Sequence, residues 1–190
     1  GVSPGTDPRD LSYCYGAPVS ANILNRNCIA FKLYPGAHGG VARISSPYGI
    51  RPPVTNTVIT TTNPRCQVSL TNQDDATGYL LKGCISPKHA PIMLSVSLPL
   101  TSEYSTQVAA TLLAKHHITI LNQQLIIKAA AERSILAVHE SPPLAELIIY
   151  MMKHSDNLIA NTLFKTIGAH YYGVAATWEN SGNAIKAILE

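Results

Sequence analysis

The chain has 190 residues, 46% of them hydrophobic and only 13% charged, with a formal net charge of +3 and a mean hydropathy of +0.10. That length can bury roughly two-thirds of the unfolded surface, and the composition excludes an intrinsically disordered chain. The charge is mild and forms no basic run, which argues against nucleic-acid binding, and no stretch of 18 apolar residues offers a membrane span.

Residues 1 to about 100 are β-branched and punctuated by turns. Strands are expected at Val19 to Ile23, Cys28 to Tyr34, Val41 to Ile44, Val54 to Thr62, Cys66 to Thr71, Tyr79 to Cys84 and Ile92 to Leu98. Turn signals separate them: Pro35-Gly36, Gly39-Gly40, Asn63-Pro64, Asn72 to Asp75 and Ser86-Pro87. Strand–turn–strand repetition of this kind predicts antiparallel sheet.

All four cysteines, at 14, 28, 66 and 84, fall in this half. An even count in one segment fits a disulfide framework and an oxidising compartment. Three pairings are open. The sequential one, Cys14–Cys28 with Cys66–Cys84, is the expectation adopted, each loop contributing roughly 3 kcal/mol in the chain-entropy model. No C-x-x-C pair favours zinc. The seven histidines form no metal-ligating spacing, so neither a metal nor a cofactor is expected.

From about residue 101 the period changes to that of a helix. Tyr104, Val108, Leu112 and Lys115 recur on one face, with Ser102 as a candidate N-cap. Ile118-Thr119-Ile120 and Leu125-Ile126-Ile127 read as short strands, and Ser134 to His139 as a third. Ser141 then caps a helix that starts at Pro142-Pro143 and carries Leu144, Leu147, Ile148, Met151 and Met152 as a stripe. A second helix aligns Ile159, Leu163 and Ile167 and is expected to end at Gly168. A last helix is expected between Thr177 and Leu189. The fold expected is therefore α+β: a disulfide-stabilised β-rich domain, residues 1–100, followed by a mostly helical segment, residues 101–190.

Ser155-Asp156-Asn157 lies between the two apolar helices. Ser, Asp and Asn are the favoured N-cap residues, so capping accounts for the run on its own. The chemical alternative is that a serine and an asparagine two apart project from a tight interhelical turn. The hydroxyl can pass a proton and the amide can hold a carbonyl.

S-D-N is also the second of three signatures in the penicillin-binding protein and serine β-lactamase group. Its flanks, Ser141-Pro142-Pro143-Leu144-Ala145-Glu146-Leu147-Ile148 and Met152-Lys153-His154 through Asn161-Thr162-Leu163-Phe164, resemble the helix–SxN–helix of the class C low-molecular-mass penicillin-binding proteins. These are serine D-Ala-D-Ala carboxypeptidases/endopeptidases of the penicillin-binding protein 4 type. Cys14-Tyr15-Gly16-Ala17-Pro18, Asn25-Arg26-Asn27-Cys28 and Leu81-Lys82-Gly83-Cys84 resemble that family's extra β-rich region, so the resemblance covers nearly the whole chain.

The resemblance implies a mechanism. A serine of an S-x-x-K motif attacks the D-Ala-D-Ala bond of a peptidoglycan stem peptide, and water releases the acyl-enzyme. Ser155 relays the proton toward the leaving amine, and Asn157 binds the amide of the substrate or of a β-lactam. A K-T-G strand docks the carboxylate. No lysine here has a serine three residues upstream, and Lys165-Thr166-Ile167-Gly168 carries Ile where K-T-G requires Gly. The chain is thus expected to be an internal segment, both its ends cuts, inactive alone, from a periplasmic or otherwise exported enzyme. Asn25 stands where relatives often carry an acid, which implies weaker recognition of a diamino acid's cationic end if that position contributes to it. The expected partners are stem peptides and β-lactams, with a homo-oligomer left open. The other reading is a non-catalytic exported module that binds cell-wall peptides or another protein.

Overall fold

The computed structural model describes residues 1–73, 77–120 and 138–190. Strand β1 (Cys28–Tyr34) alternates by twos: Ile29, Phe31 and Leu33 are buried while Ala30 and Lys32 face water. Extended backbone puts successive side chains on opposite faces, so one face of β1 enters the core. β1 is central in a three-stranded antiparallel sheet. β2 (Arg43–Ser45) lies on one edge with Ser45 opposite Lys32, and β7 (Ile92–Ser97) on the other with Ser97 opposite Cys28.

In the second sheet, segment 54–60, expected as part of one strand, splits into β3 (Val54–Asn56) and β4 (Ile59–Thr60). Fully buried Val58 sits at the break. β5 (Val68–Asn72) pairs antiparallel with β6 (Tyr79–Ile85), Val68 opposite Gly83. That hairpin occupies one edge of β6, leaving the other for β3 and β4, which run parallel to it at Tyr79–Leu81 and Cys84–Ile85. The pairing is therefore antiparallel except along this one edge.

The two sheets share a core. Ile29, Phe31, Leu33 and Val96 come from the first, Val58, Leu81 and Ile85 from the second, and Tyr104 and Val108 from helix α1 (Thr101–Lys115). The Tyr79 and Ser97 hydroxyls lie 2.6 Å apart, and both bond the Leu11 carbonyl. Burial raises the Tyr79 phenol above its ordinary pKa, against the smaller opposing effect of the Ser97 hydrogen bond. Both disulfides take the sequential pairing, with Cα separations of 5.4 Å for Cys14–Cys28 and 5.1 Å for Cys66–Cys84.

Several local expectations are corrected. Val19 to Ile23 is not a strand: the Val19 N–H bonds Gly1, and the Pro18 carbonyl accepts from Asn27, so no neighbouring strand is engaged. Ser102 lies inside the first turn of α1, which no side chain caps. Ser141 does not cap α2 (Leu144–His154); its hydroxyl bonds the Pro142 carbonyl. Ile118 to Ile120 is irregular, following a left-handed His117 whose N–H returns to Ala114. The strand expected at 125–127 and most of that at 134–139 lie outside the described residues. Helix α3 (Asn157–Tyr172) runs past Gly168 and ends at Gly173, which takes φ 68°.

Gly168 has a packing role instead. It faces Ser181 of α4 (Trp178–Leu189), and a Cβ built on it would lie 2.3 Å from Oγ and 2.7 Å from Cα of Ser181. Only glycine lets the two helices approach this closely. Phe164 and Trp178 stack beside the contact at 5.7 Å, and a capping box between Thr177 and Asn180 starts α4. No helix among the described residues is long and apolar enough to cross a membrane.

Candidate active site

The polar run divides its labour residue by residue. Ser155 ends α2 in a left-handed conformation, φ 50° and ψ 48°, where a side chain is disfavoured. Asp156 caps α3: its Oδ1 accepts from the N–H groups of Leu158 and Ile159, both at 3.1 Å. Because the middle residue does the capping and is buried, Ser155 and Asn157 remain exposed on either side of it. The capping reading thus holds for Asp156, and the two residues expected to carry chemistry share one turn.

The other oxygen of Asp156, Oδ2, accepts from Arg26. The Asp156 side chain is only 1% exposed, whereas that of Arg26 is 58% exposed, so solvent screens the pair from the arginine side. The guanidinium also donates to the Tyr150 hydroxyl at 3.1 Å. Tyr150 stacks on His154 with ring centroids 4.1 Å apart, and the His154 ring bonds the Tyr150 carbonyl. Arg26 therefore touches the last turns of α2 and the first residue before α3 together.

Asn157 faces a cavity of about 370 Å³ lined also by Asp7, Asp10, Tyr15 and Asn161. Its carboxamide donates to the Tyr15 carbonyl at 3.3 Å. Asp7 is paired with Arg9 at 2.6 Å, and hydrogen bonds from Arg9 hold its carboxyl below the usual carboxylate range. Asp10 accepts from the Tyr15 hydroxyl at 2.7 Å, a bond that pushes the phenol up to about 12. Two carboxylates therefore line this cavity together with Asn157, Asp7 paired with Arg9 and Asp10 with the Tyr15 phenol.

Asn25 is not on this cavity: its amide donates to the Tyr104 hydroxyl at 2.8 Å. The acids facing Asn157 are Asp7 and Asp10, which sequence reasoning did not single out. Their signal was only that they precede Cys14, the start of a disulfide loop, and nothing in the local pattern aims them at residue 157. Arg26 was likewise missed as a site residue, being 130 positions from its partner. Lys165, the first residue of the K-T-I-G run, sits in the middle of α3 with Nζ 5.3 Å from the centre of the Trp178 ring. Among the described residues no three metal-ligating side chains converge.

Comparison with known proteins covers the chain end to end. A model of the D-Ala-D-Ala carboxypeptidase 3 (S13) family matches residues 1–190. The D-alanyl-D-alanine carboxypeptidase DacB of Haemophilus influenzae is 29% identical over 185 residues, 95% of this chain and 38% of that protein. The crystal structure of penicillin binding protein 4 from the same organism superposes with a TM-score of 0.79 at 28% identity, over 99% of this chain and 42% of that one. Its complex with a β-lactam gives 0.75, over 94% and 41%. The chain thus spans about two-fifths of the length of the relatives it matches.

Proposed function

The chain belongs to the D-Ala-D-Ala carboxypeptidase 3 (S13) family, and from that premise we propose that the full-length protein is a serine-type D-Ala-D-Ala carboxypeptidase/endopeptidase acting on peptidoglycan stem peptides. In this reading an acyl-enzyme forms on a serine outside these 190 residues, and penicillin acylates the same serine. The exposed hydroxyl of Ser155 passes the proton toward the leaving amine. The Asn157 carboxamide holds the substrate amide with the N–H it does not spend on Tyr15. The observation that carries this reading is the exposure of Ser155 and Asn157 on one turn, with buried Asp156 capping between them; Asn157 lines the cavity and Ser155 does not.

The cavity's charge suggests which part of a stem peptide lies there. Asp7 is paired with Arg9, while Asp10 accepts from the Tyr15 phenol. A cationic side chain, such as the free amine of a diamino acid, fits that lining better than a carboxylate does. An exported location follows in the same reading, in keeping with two disulfides in the described residues. The division into an inserted β-rich domain, residues 1–100, and a catalytic-domain segment, residues 101–190, belongs to the same proposal.

The test is covalent labelling with a fluorescent penicillin. The full-length protein is expected to label stoichiometrically and residues 1–190 alone not at all. Labelling of the isolated chain would refute the assignment of the nucleophile to sequence outside it. A full-length protein that does not label would favour the non-catalytic exported module.

A further inference from the structure

Asn25, Arg26 and Asn27 take three consecutive left-handed conformations, with φ of 49°, 60° and 51°. None is glycine, so the turn carries a backbone cost that its contacts must offset. Each side chain serves a different element. Asn25 holds Tyr104 of α1. Asn27, only 1% exposed, donates to the Pro18 carbonyl at 2.8 Å and the Ser20 hydroxyl at 3.1 Å. Arg26 alone reaches toward residues 155–157.

We propose that Arg26 is a positioning residue: anchored in this left-handed turn, it fixes the buried carboxylate of Asp156 and the end of α2, and so sets the directions in which Ser155 and Asn157 face. The geometry supplies two fixed points. One guanidinium nitrogen holds Tyr150 near the end of α2, and the other holds Asp156 at the start of α3. Both oxygens of Asp156 are then engaged, one by α3 and one by Arg26. With carboxylate and helix end both held, the peptide planes on each side of Asp156 have little freedom to turn. The guanidinium also offsets a negative charge lying between the two outward groups, where an anionic ligand would otherwise meet repulsion. Deleting the guanidinium leaves the carboxylate buried without its cation, which favours rotation of the turn toward water.

This role rests on the reading that Ser155 and Asn157 act on substrate, and the experiment separates the two. In the full-length protein, Arg26→Met is expected to slow penicillin acylation by about tenfold or more, as displaced catalytic groups do. It is also expected to accelerate hydrogen exchange at the amides of Leu158 and Ile159, which Asp156 caps. Asn56→Ala, which removes a hydrogen bond to the Ala42 carbonyl in the second sheet and touches neither this turn nor residues 150–157, serves as the control for lost stability. It is expected to do neither at temperatures where both variants stay folded. Acylation of Arg26→Met at the wild-type rate, or an equal loss in Asn56→Ala, overturns the proposal. If the wild-type protein does not label at all, the functional reading falls and the exchange measurement decides alone: unchanged amides at Leu158 and Ile159 overturn the positioning role, and accelerated ones uphold it.

Discussion

The Asn157 carboxamide donates to the Tyr15 carbonyl across 142 residues of sequence. Tyr15 adjoins Cys14, and the contact from the other direction, Arg26 to Asp156, lies two residues from Cys28. The Cys14–Cys28 bridge therefore clamps together the two segments that hold the 155–157 turn. Cys66–Cys84 joins the segment ahead of β5 to β6 and touches neither.

Removing either disulfide by paired Cys→Ala substitution is expected to cost about 3 kcal/mol, since the loops have similar lengths of 14 and 18 residues. The effects on chemistry should differ. Denaturant unfolding is expected to give comparable losses for the two pairs. Acylation of the full-length protein is expected to slow only for Cys14→Ala/Cys28→Ala.

Ser155 holds a left-handed backbone that glycine adopts without a side-chain penalty. Ser155→Gly is expected to raise stability by about 1 kcal/mol, and Ser155→Ala to give no such gain. In the full-length protein both lack the hydroxyl, so acylation should fall on the order of 100-fold in each. Thermal melts and labelling rates of the two variants check the pair of effects; retained activity in either would remove Ser155 from the mechanism.

Gly168→Ala gains helix propensity but drives a methyl into Ser181. Because a Cβ would lie 2.7 Å from backbone Cα as well as 2.3 Å from Oγ, trimming Ser181 to alanine should relieve little of the clash. A net loss of about 1–3 kcal/mol is expected from overpacking, measured by urea unfolding. Ser181→Ala is expected to restore only a small part of it.

Tyr15 should remain protonated well past the ordinary phenol range, because its hydroxyl donates to Asp10. The sign follows from the raised value: on the alkaline side the bond's contribution is intact below about 10 and is lost as pH climbs toward about 12. Ultraviolet titration of wild type against Tyr15→Phe isolates this transition, and Asp10→Asn is expected to bring it down toward about 10.

The same substitution tests the charge of the cavity. Asp10→Asn in the full-length protein is expected to raise KM for a stem peptide with a free side-chain amine, and to leave KM for the acetylated peptide unchanged. Equal effects on both peptides would remove the cationic pocket from the reading.

What the sequence reveals depends on how local the physics is. β1 was legible to the residue because alternation in Cys28–Tyr34 is set by the strand itself. The parallel register of β3 and β4 was not, since their own pattern does not name the edge they join. Gly168 read as a helix end because glycine commonly closes helices, yet its conformation is ordinary and its neighbour Ser181 explains it. At the site, the S-D-N run disclosed a helix cap and two outward groups. The supporting groups Arg26, Asp10 and Tyr15 come from distant sequence; Arg26 and Tyr15 lie in segments that carry the family resemblance, but nothing local aims any of the three at residues 155–157.

Synthesis from the N-terminus gives these separations a temporal meaning. The Cys14–Cys28 segment and its left-handed turn leave the ribosome more than a hundred residues before α2 and α3. Disulfides close in an oxidising compartment rather than at the ribosome; the N-terminal cradle also leads the chain there, so it can be bridged before the 155–157 corner arrives and the late helices dock onto a finished template.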